Sequence, residues 1–257
     1  MAIGAPDFLK VGGTDIAVRR REGNEPGIMW LGGYRSDMRG TKAEALDGWA
    51  AAAGRAIARH DYSGHGESVG AFRDGTISRW LAESLAVFRA FTRGRQVLVG
   101  SSMGAWIALR MARELQKSDE VNRIAGMLLL APAPDFTAEL MEPQLTPAHR
   151  RDLAEKGYFE EPSEYSSDPN IFTHALLEDG RQNLVMTGPI DTHCPVHIIQ
   201  GMRDHDVPYG HALKLVSCLP ADDVTLSLIP DGDHRLSRPE DIATMLRAVE
   251  TLIVQAG

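Results

Sequence analysis

An α/β protein with a mainly parallel sheet and helices on both faces is the fold class this sequence predicts. Three observations carry it. Short β-branched runs alternate with helix-like periods along the chain, an order that implies parallel crossovers. Runs such as QVLVG (96–100) and AGMLLLAP (125–132) are apolar without in-out alternation, as strands covered on both faces are. The 257 residues are also enough for one large domain of this class.

The elements follow in order. DIAVRRRE (15–22) and IMWLGG (28–33) read as strands. Thr41 and Glu44 have the spacing of a capping box, opening a helix that runs through Ala53. AIARHDY (56–62) is the next strand, and a helix begins near Ser78. Trp80, Leu81, Ser84, Leu85, Val87, Phe88 and Phe91 form its buried stripe at helical spacing. QVLVG precedes a helix over Met103–Leu115, and AGMLLLAP, VHIIQG (196–201) and VTLSLIP (224–230) complete the strands. The last helix has Pro239 in its first turn and Glu240 and Asp241 favouring its dipole. Ile242, Met245, Leu246, Val249, Leu252 and Ile253 repeat along one face of it.

Residues 133–190 break this rhythm. They hold six of the 14 prolines and a net charge of −7, nearly all of the −8 of the whole chain. The segment is expected to be a lid of mostly short helices inserted between two strands of a single domain spanning 1–257. It offers Phe136, Leu140, Met141, Tyr158, Phe159, Tyr165, Ile171 and Phe172 for an acyl groove. A lid of that charge over the entrance is expected to repel anions, favouring a neutral or cationic leaving part such as an acylated peptide.

Composition excludes several function classes. The acidic balance and the lack of a basic cluster argue against a nucleic-acid partner. The apolar runs are too short for a membrane span, and no basic amphipathic segment stands out. MAIGAPDFLK lacks the pattern of a secretory signal, so the cytoplasm is the expected compartment. There Cys194 and Cys218 are expected as free thiols. Oligomeric state is not legible.

The chemistry starts at Gly100-Ser101-Ser102-Met103-Gly104, a Gly-x-Ser-x-Gly pattern centred on Ser102 between a buried strand and a helix. That context is a nucleophile elbow, a tight turn that pushes the serine above the sheet edge. Ser101 lacks the flanking glycines, since Val99 and Met103 occupy those places. A serine nucleophile needs a base and the base an orienting carboxylate, which in this architecture follow in the order acid, then histidine. Asp204 and Asp206 follow VHIIQG, and His234 follows VTLSLIP in a glycine-containing loop. Asp204, nearer the strand, is the expected acid. His205 is a bystander or a substrate contact. For the oxyanion, the expected donors are the N–H groups of Met103 and of Tyr34 in the GGYRSDM loop, with Gly33 the alternative.

Two rival patterns compete with this reading. Gly64-x-Gly66 follows a strand, but its third glycine stands at 70 and no helix opens there, so dinucleotide binding is disfavoured. His193, Cys194 and His197 could be taken as a metal cluster, yet Pro195 and the adjoining strand favour a structural role.

With elbow, acid and histidine in order, the sequence resembles the α/β-hydrolase fold proteins. It is closest to the branch of serine hydrolases that includes palmitoyl-protein thioesterase and acyl-glucuronide esterase. GYRSDMRGTKA, RHDYSGHGES, LVGSSMGAW, KGYFEEPSEYS, GMRDHDVP and DHR carry the likeness, which spans roughly 28–250. The resemblance implies Ser102 as nucleophile, Asp204 as acid and His234 as base, no cofactor and no metal. It implies cleavage of esters or thioesters of hydrophobic or conjugated acyl groups. Two positions depart from it. Gly32 stands where many members have histidine, and Ala105, where the branch tends to have glycine, is expected to narrow the acyl site. The competing readings are a catalytically silent binding module on the same fold, and the same triad used as a lactonase or amidase.

Overall fold

Eight strands form one sheet in the order β1-β2-β4-β3-β5-β6-β9-β10 in the computed structural model, which describes residues 5–163, 168–219 and 223–256. The strands are β1 (Asp7–Val11), β2 (Thr14–Arg21), β3 (Asn24–Leu31), β4 (Arg55–His60), β5 (Gln96–Ser101), β6 (Ile124–Leu130), β9 (Val196–Gly201) and β10 (Val224–Ile229). From β4 to β10 every neighbouring pair is parallel, whereas β1–β2 and β2–β4 are antiparallel. The edge strand β1 is additional to the sequence expectation. Its residues are mostly exposed, so they carry little of the apolar pattern by which a buried strand is read.

Alternate side chains of the central strands feed two cores. Met29, Leu31, Leu98, Met127 and Leu129 face α2 (Ile77–Phe91), α3 (Met103–Lys117) and α6 (Tyr209–Cys218), where Trp80, Trp106 and Leu215 pack. Ile28, Val97, Val99, Leu128 and Leu130 face α1 (Thr41–Ala52) and α7 (Pro239–Ala256), against Leu46 and Val249. All six residues of β5 are buried, so the strand that ends at the elbow has no freedom to slip: a one-residue shift would exchange its two faces.

One helix start differs from expectation. Gly40 is the N-cap of α1 and no side chain caps it. Thr41 therefore already lies inside the helix, and Glu44 is drawn instead to Arg59 at 2.7 Å. A buried guanidinium without its partner is costly, which outweighs a cap of about 1 kcal/mol. The helix near Ser78 begins one residue earlier, at Ile77, capped by the Thr76 hydroxyl accepting from Arg79 N at 3.2 Å.

Between β6 and β9 the segment of 133–190 holds more than short helices. A π-helical turn (Thr137–Met141) leads to α4 (Pro147–Lys156), then to the antiparallel hairpin β7 (Tyr158–Glu161) and β8 (Asn170–Thr173), and to α5 (His174–Gln182). Glu164 and Tyr165 lie outside the described residues.

Candidate active site

The elbow is made by close backbone approach. A Cβ on Gly100 would sit 2.5 Å from the Gly104 carbonyl oxygen, and one on Gly104 only 2.1 Å from that of Leu31. Both places therefore require glycine. Between them Ser102 takes φ 53° and ψ −116°, a left-handed conformation that costs a side-chain-bearing residue about 1–3 kcal/mol and recurs at functional sites. Hydrogen bonds hold it there: Ser102 N donates to Leu130 O at 2.8 Å, and Ala133 N and Ala105 N donate to Ser102 O.

Ser102 Oγ lies 3.1 Å from His234 Nε2, and His234 Nδ1 lies 2.8 Å from Asp204 Oδ2. The Asp204 carboxylate is fully enclosed. Its other oxygen accepts the amides of Asp206 and Val207 at 3.0 and 2.8 Å, which fixes the orientation in which it can accept from an imidazole. The Asp204 and His234 loops meet through another close approach, since a Cβ on Gly201 would fall 2.4 Å from Gly232 O. Ser101, by contrast, is the last, buried residue of β5. Asp206 is exposed on the cavity wall, as is His205.

Sequence reasoning missed Gln200. This wholly buried side chain donates through Nε2 to Asp204 Oδ2 at 3.1 Å and to Val207 O at 3.0 Å. The only signal available was a glutamine inside an otherwise apolar strand.

The Gly33–Tyr34 loop packs against the elbow, with a Cβ on Gly33 falling 3.4 Å from Ser102 Cβ. Among the described residues no hydrogen bond outside the regular elements uses the amides of Met103 or Tyr34. The HDYSGHG stretch braces this loop. Asp61 accepts Met38 N at 2.6 Å and Glu67 N at 2.8 Å, and His65 Nε2 accepts Arg35 N at 3.2 Å. Burial pushes the His65 imidazole down to about 4, so it is neutral and able to accept. Gly66 is pressed against the Asp61 carboxylate. The glycines that resembled a nucleotide fingerprint thus shape a supporting turn.

Residues 27–245 match the alpha/beta hydrolase family. This chain belongs to that family. It is similar to the human palmitoyl-protein thioesterase ABHD10, mitochondrial, at 30% identity over 241 residues, 93% of this chain and 76% of that protein. Among solved structures, it is similar to a putative hydrolase from Agrobacterium vitis S4, at 58% identity and TM-score 0.92 over 96% of this chain and 97% of that one. Mouse alpha/beta hydrolase domain-containing protein 10 superposes with TM-score 0.88 at 27% identity, over 99% and 100% of the two chains.

In this alpha/beta hydrolase a cavity of about 320 Å³ opens beside Ser102 and His234. Five of the lid side chains expected to form an acyl groove line it: Phe136, Leu140, Met141, Phe159 and Phe172. Tyr158 lies instead under the Arg73 guanidinium at 3.8 Å, and the Ile171 carbonyl accepts the Tyr34 hydroxyl. Ala105 is buried in the core behind the elbow, so it does not narrow the cavity as expected. Tyr34 stacks on Phe172 at 5.2 Å, tying the lid hairpin to the loop beside the serine.

The lid's negative charge is not gathered at the cavity as expected. Glu139 pairs with Lys214 and Glu160 with Arg73, bases outside the segment, whereas Glu142, Glu178 and Asp152 pair with Arg181 and Lys156, which its net charge of −7 already includes. Asp135 is buried, accepting Val185 N and Met186 N. Among the lid's described acids only Glu161 borders the cavity.

Asp204, Asp206 and His234 offer ligand atoms within 4.8 Å of one another. The His234–Asp204 hydrogen bond already uses two of the atoms a cation would need. The suspected metal residues have separate partners: His193 lies by Asp191, His197 bonds Ser227, and burial pushes the Cys194 thiol up to about 12. No helix among the described residues is long and apolar enough to cross a membrane.

Proposed function

We propose that this hydrolase cleaves carboxylic esters or thioesters of hydrophobic acyl groups through an acyl-enzyme on Ser102, in a single domain whose 133–190 segment is the lid. The observation that carries the reading is the unbroken hydrogen-bond chain Ser102–His234–Asp204 beside a cavity with Phe136, Leu140, Met141, Phe159 and Phe172 in its wall. His234 Nε2 takes the Ser102 proton as Oγ attacks the acyl carbon, and Asp204 stabilises the imidazolium that forms. The amides of Met103 and Tyr34 take the oxyanion, where fixed donors are worth about 3–4 kcal/mol each. The tetrahedral species collapses as His234 protonates the departing alcohol or thiol. Water, deprotonated by the same imidazole, then frees the carboxylic acid and restores Ser102. No cofactor enters these steps.

A catalytically silent binding module is disfavoured, because nothing in a binding role requires a strained serine aligned with a buried, oriented imidazole–carboxylate pair. The names of the curated relatives support thioesters as one substrate class. The cytoplasm is the compartment this reading expects, although those names say mitochondrial; recovery in a mitochondrial fraction would overturn it. The deciding experiment is hydrolysis of p-nitrophenyl esters and S-acyl peptides of graded chain length. Turnover of both with loss in Ser102→Ala is expected. Amide or lactone cleavage without ester cleavage would favour the alternative chemistry.

A further inference from the structure

Ser102, His234 and Tyr34 also border a second space, of about 400 Å³, whose other lining residues are distinct from those of the first cavity. Its wall differs in kind. Arg35, Lys42 and Arg235 line it against one acid, Asp37, which accepts the Arg39 amide at 2.7 Å. Lys42 Nζ donates to the Arg235 carbonyl, which holds the ammonium near His234. Thr41 and Lys42 open α1, whose first turn no side chain caps, so the positive end of the helix dipole meets the same space. Trp30, 2% exposed, lies in the wall too, and its indole N–H has no partner among the described residues. Lys42, Arg235 and the start of α1 thus give this wall a positive character that suits an anion.

The acids nearby are already engaged. Asp233 accepts Leu236 N at 3.0 Å, and Asp241 pairs with Arg238 at 2.9 Å. Burial and the neighbouring Arg235 push the Lys42 ammonium down to about 8, so an anion beside it would restore the favourable surroundings its charge has lost.

A tetrahedral carbon on Ser102 must send its acyl group one way and its leaving group the other. The first cavity, with Phe136, Leu140, Met141, Phe159 and Phe172 in its wall, suits the acyl chain. We propose that the second cleft is a leaving-group subsite that binds an anionic oxygen group, a carboxylate or a phosphate, on the departing alcohol or thiol, with Lys42 and Arg235 as its cationic contacts. This rests on the reading of Ser102 as nucleophile and reverses the leaving-group preference expected from lid charge.

The test compares butyrate esters of 4-hydroxybenzoate, 4-hydroxyphenylphosphonate and the neutral 4-hydroxybenzamide. In the wild type an anionic ester is expected to exceed the neutral one in kcat/KM, the advantage shrinking as salt rises. The anionic-to-neutral ratio is expected to fall about tenfold in Lys42→Gln and in Arg235→Gln, the loss of one charge-assisted contact. Which anionic ester is faster tells whether carboxylate or phosphate is the better fit. A wild-type ratio below one at low salt, or a ratio the two variants leave unmoved, overturns the subsite. Failure to cleave even the neutral ester would instead strike the proposed function. Binding of 4-hydroxybenzoate to Ser102→Ala by calorimetry tests the cleft without turnover. It is expected to weaken about tenfold when Lys42→Gln is added, and equal affinity would contradict the proposal.

Discussion

The elbow with its two loops and the lid over it are built on opposite principles. At the elbow, backbone packs on backbone: Gly100 on Gly104, Gly104 on Leu31, Gly201 on Gly232. Ser102 and Asp204 follow the buried strands β5 and β9, and His234 follows the half-buried edge strand β10. The lid is held by side chains, through Tyr34 on Phe172, Asp135 on two amides, and Trp106 Nε1 on Asn183 O at 3.0 Å. Backbone contacts at van der Waals limits admit almost no substitution, whereas side-chain contacts can be exchanged for others of similar volume. Changes at the strand ends should therefore abolish chemistry, and changes in the lid should alter which substrate is used.

The largest effect tests the strand-end side of that contrast. Asp204→Asn is expected to lower kcat by up to about 10⁴, since the amide can hold His234 in the wrong tautomer. Asp206→Asn is expected to lose far less, because Asp206 reaches Asp204 through its backbone amide. Parallel steady-state kinetics on the two variants checks this, and equal losses would exchange their roles.

Gln200→Leu comes next. It removes one donor from Asp204 and leaves the Val207 carbonyl buried without its partner. A fall in kcat of about tenfold is expected with KM little changed, the worth of one hydrogen bond to a charged acceptor. A rise in KM alone would place Gln200 outside the chemistry.

Acid should weaken the brace behind the Gly33–Tyr34 loop. His65 is held at about 4 in the fold against an ordinary 6.5, so the unfolded chain takes up a proton first as pH falls. Its contribution is complete above pH 6.5 and lost between there and pH 4, about 3 kcal/mol in all. His60, pushed down to about 3 by burial, acts in the same direction, while Asp61, raised by burial, opposes it. Thermal melts from pH 7 to 4 should fall less steeply in His65→Asn than in the wild type. Parallel curves would remove His65 from the account.

The smallest change belongs to the lid. Phe172→Ala enlarges the acyl cavity and loses the Tyr34 stack, and the optimum acyl length is expected to move upward by a few carbons. A chain-length profile of kcat/KM reads it, and a uniform loss at all lengths would mean that the lid acts on the elbow itself.

The same contrast explains what could be read from the sequence. Glycines at 100 and 104, a buried strand before Ser102, and acid and histidine after later strands are local signals, and they lie where the backbone demands them. Asp61 and His65 reach Met38 and Arg35, 23 and 30 positions away, which no local pattern shows. Gln200 acts on Asp204 and Val207 nearby in the chain, but a glutamine in an apolar strand does not say which way its amide points. In the lid, apolar residues were identifiable as a group, but not the hairpin that presents Phe159 and Phe172. Its acids were countable, yet pairs such as Glu139–Lys214, 75 positions apart, cancel charge that composition assigned to the entrance. Arg35, Lys42 and Arg235 come from two loops and a helix start that only the fold brings to one cleft.

The identity of the nucleophile is tested most directly by covalent labelling. Wild type treated with a fluorophosphonate is expected to gain one adduct in intact mass, mapped by peptide sequencing to Ser102. Ser101→Ala should label as the wild type does, and Ser102→Ala should not label. An adduct on Ser101, or undiminished labelling of a folded Ser102→Ala, would contradict the account.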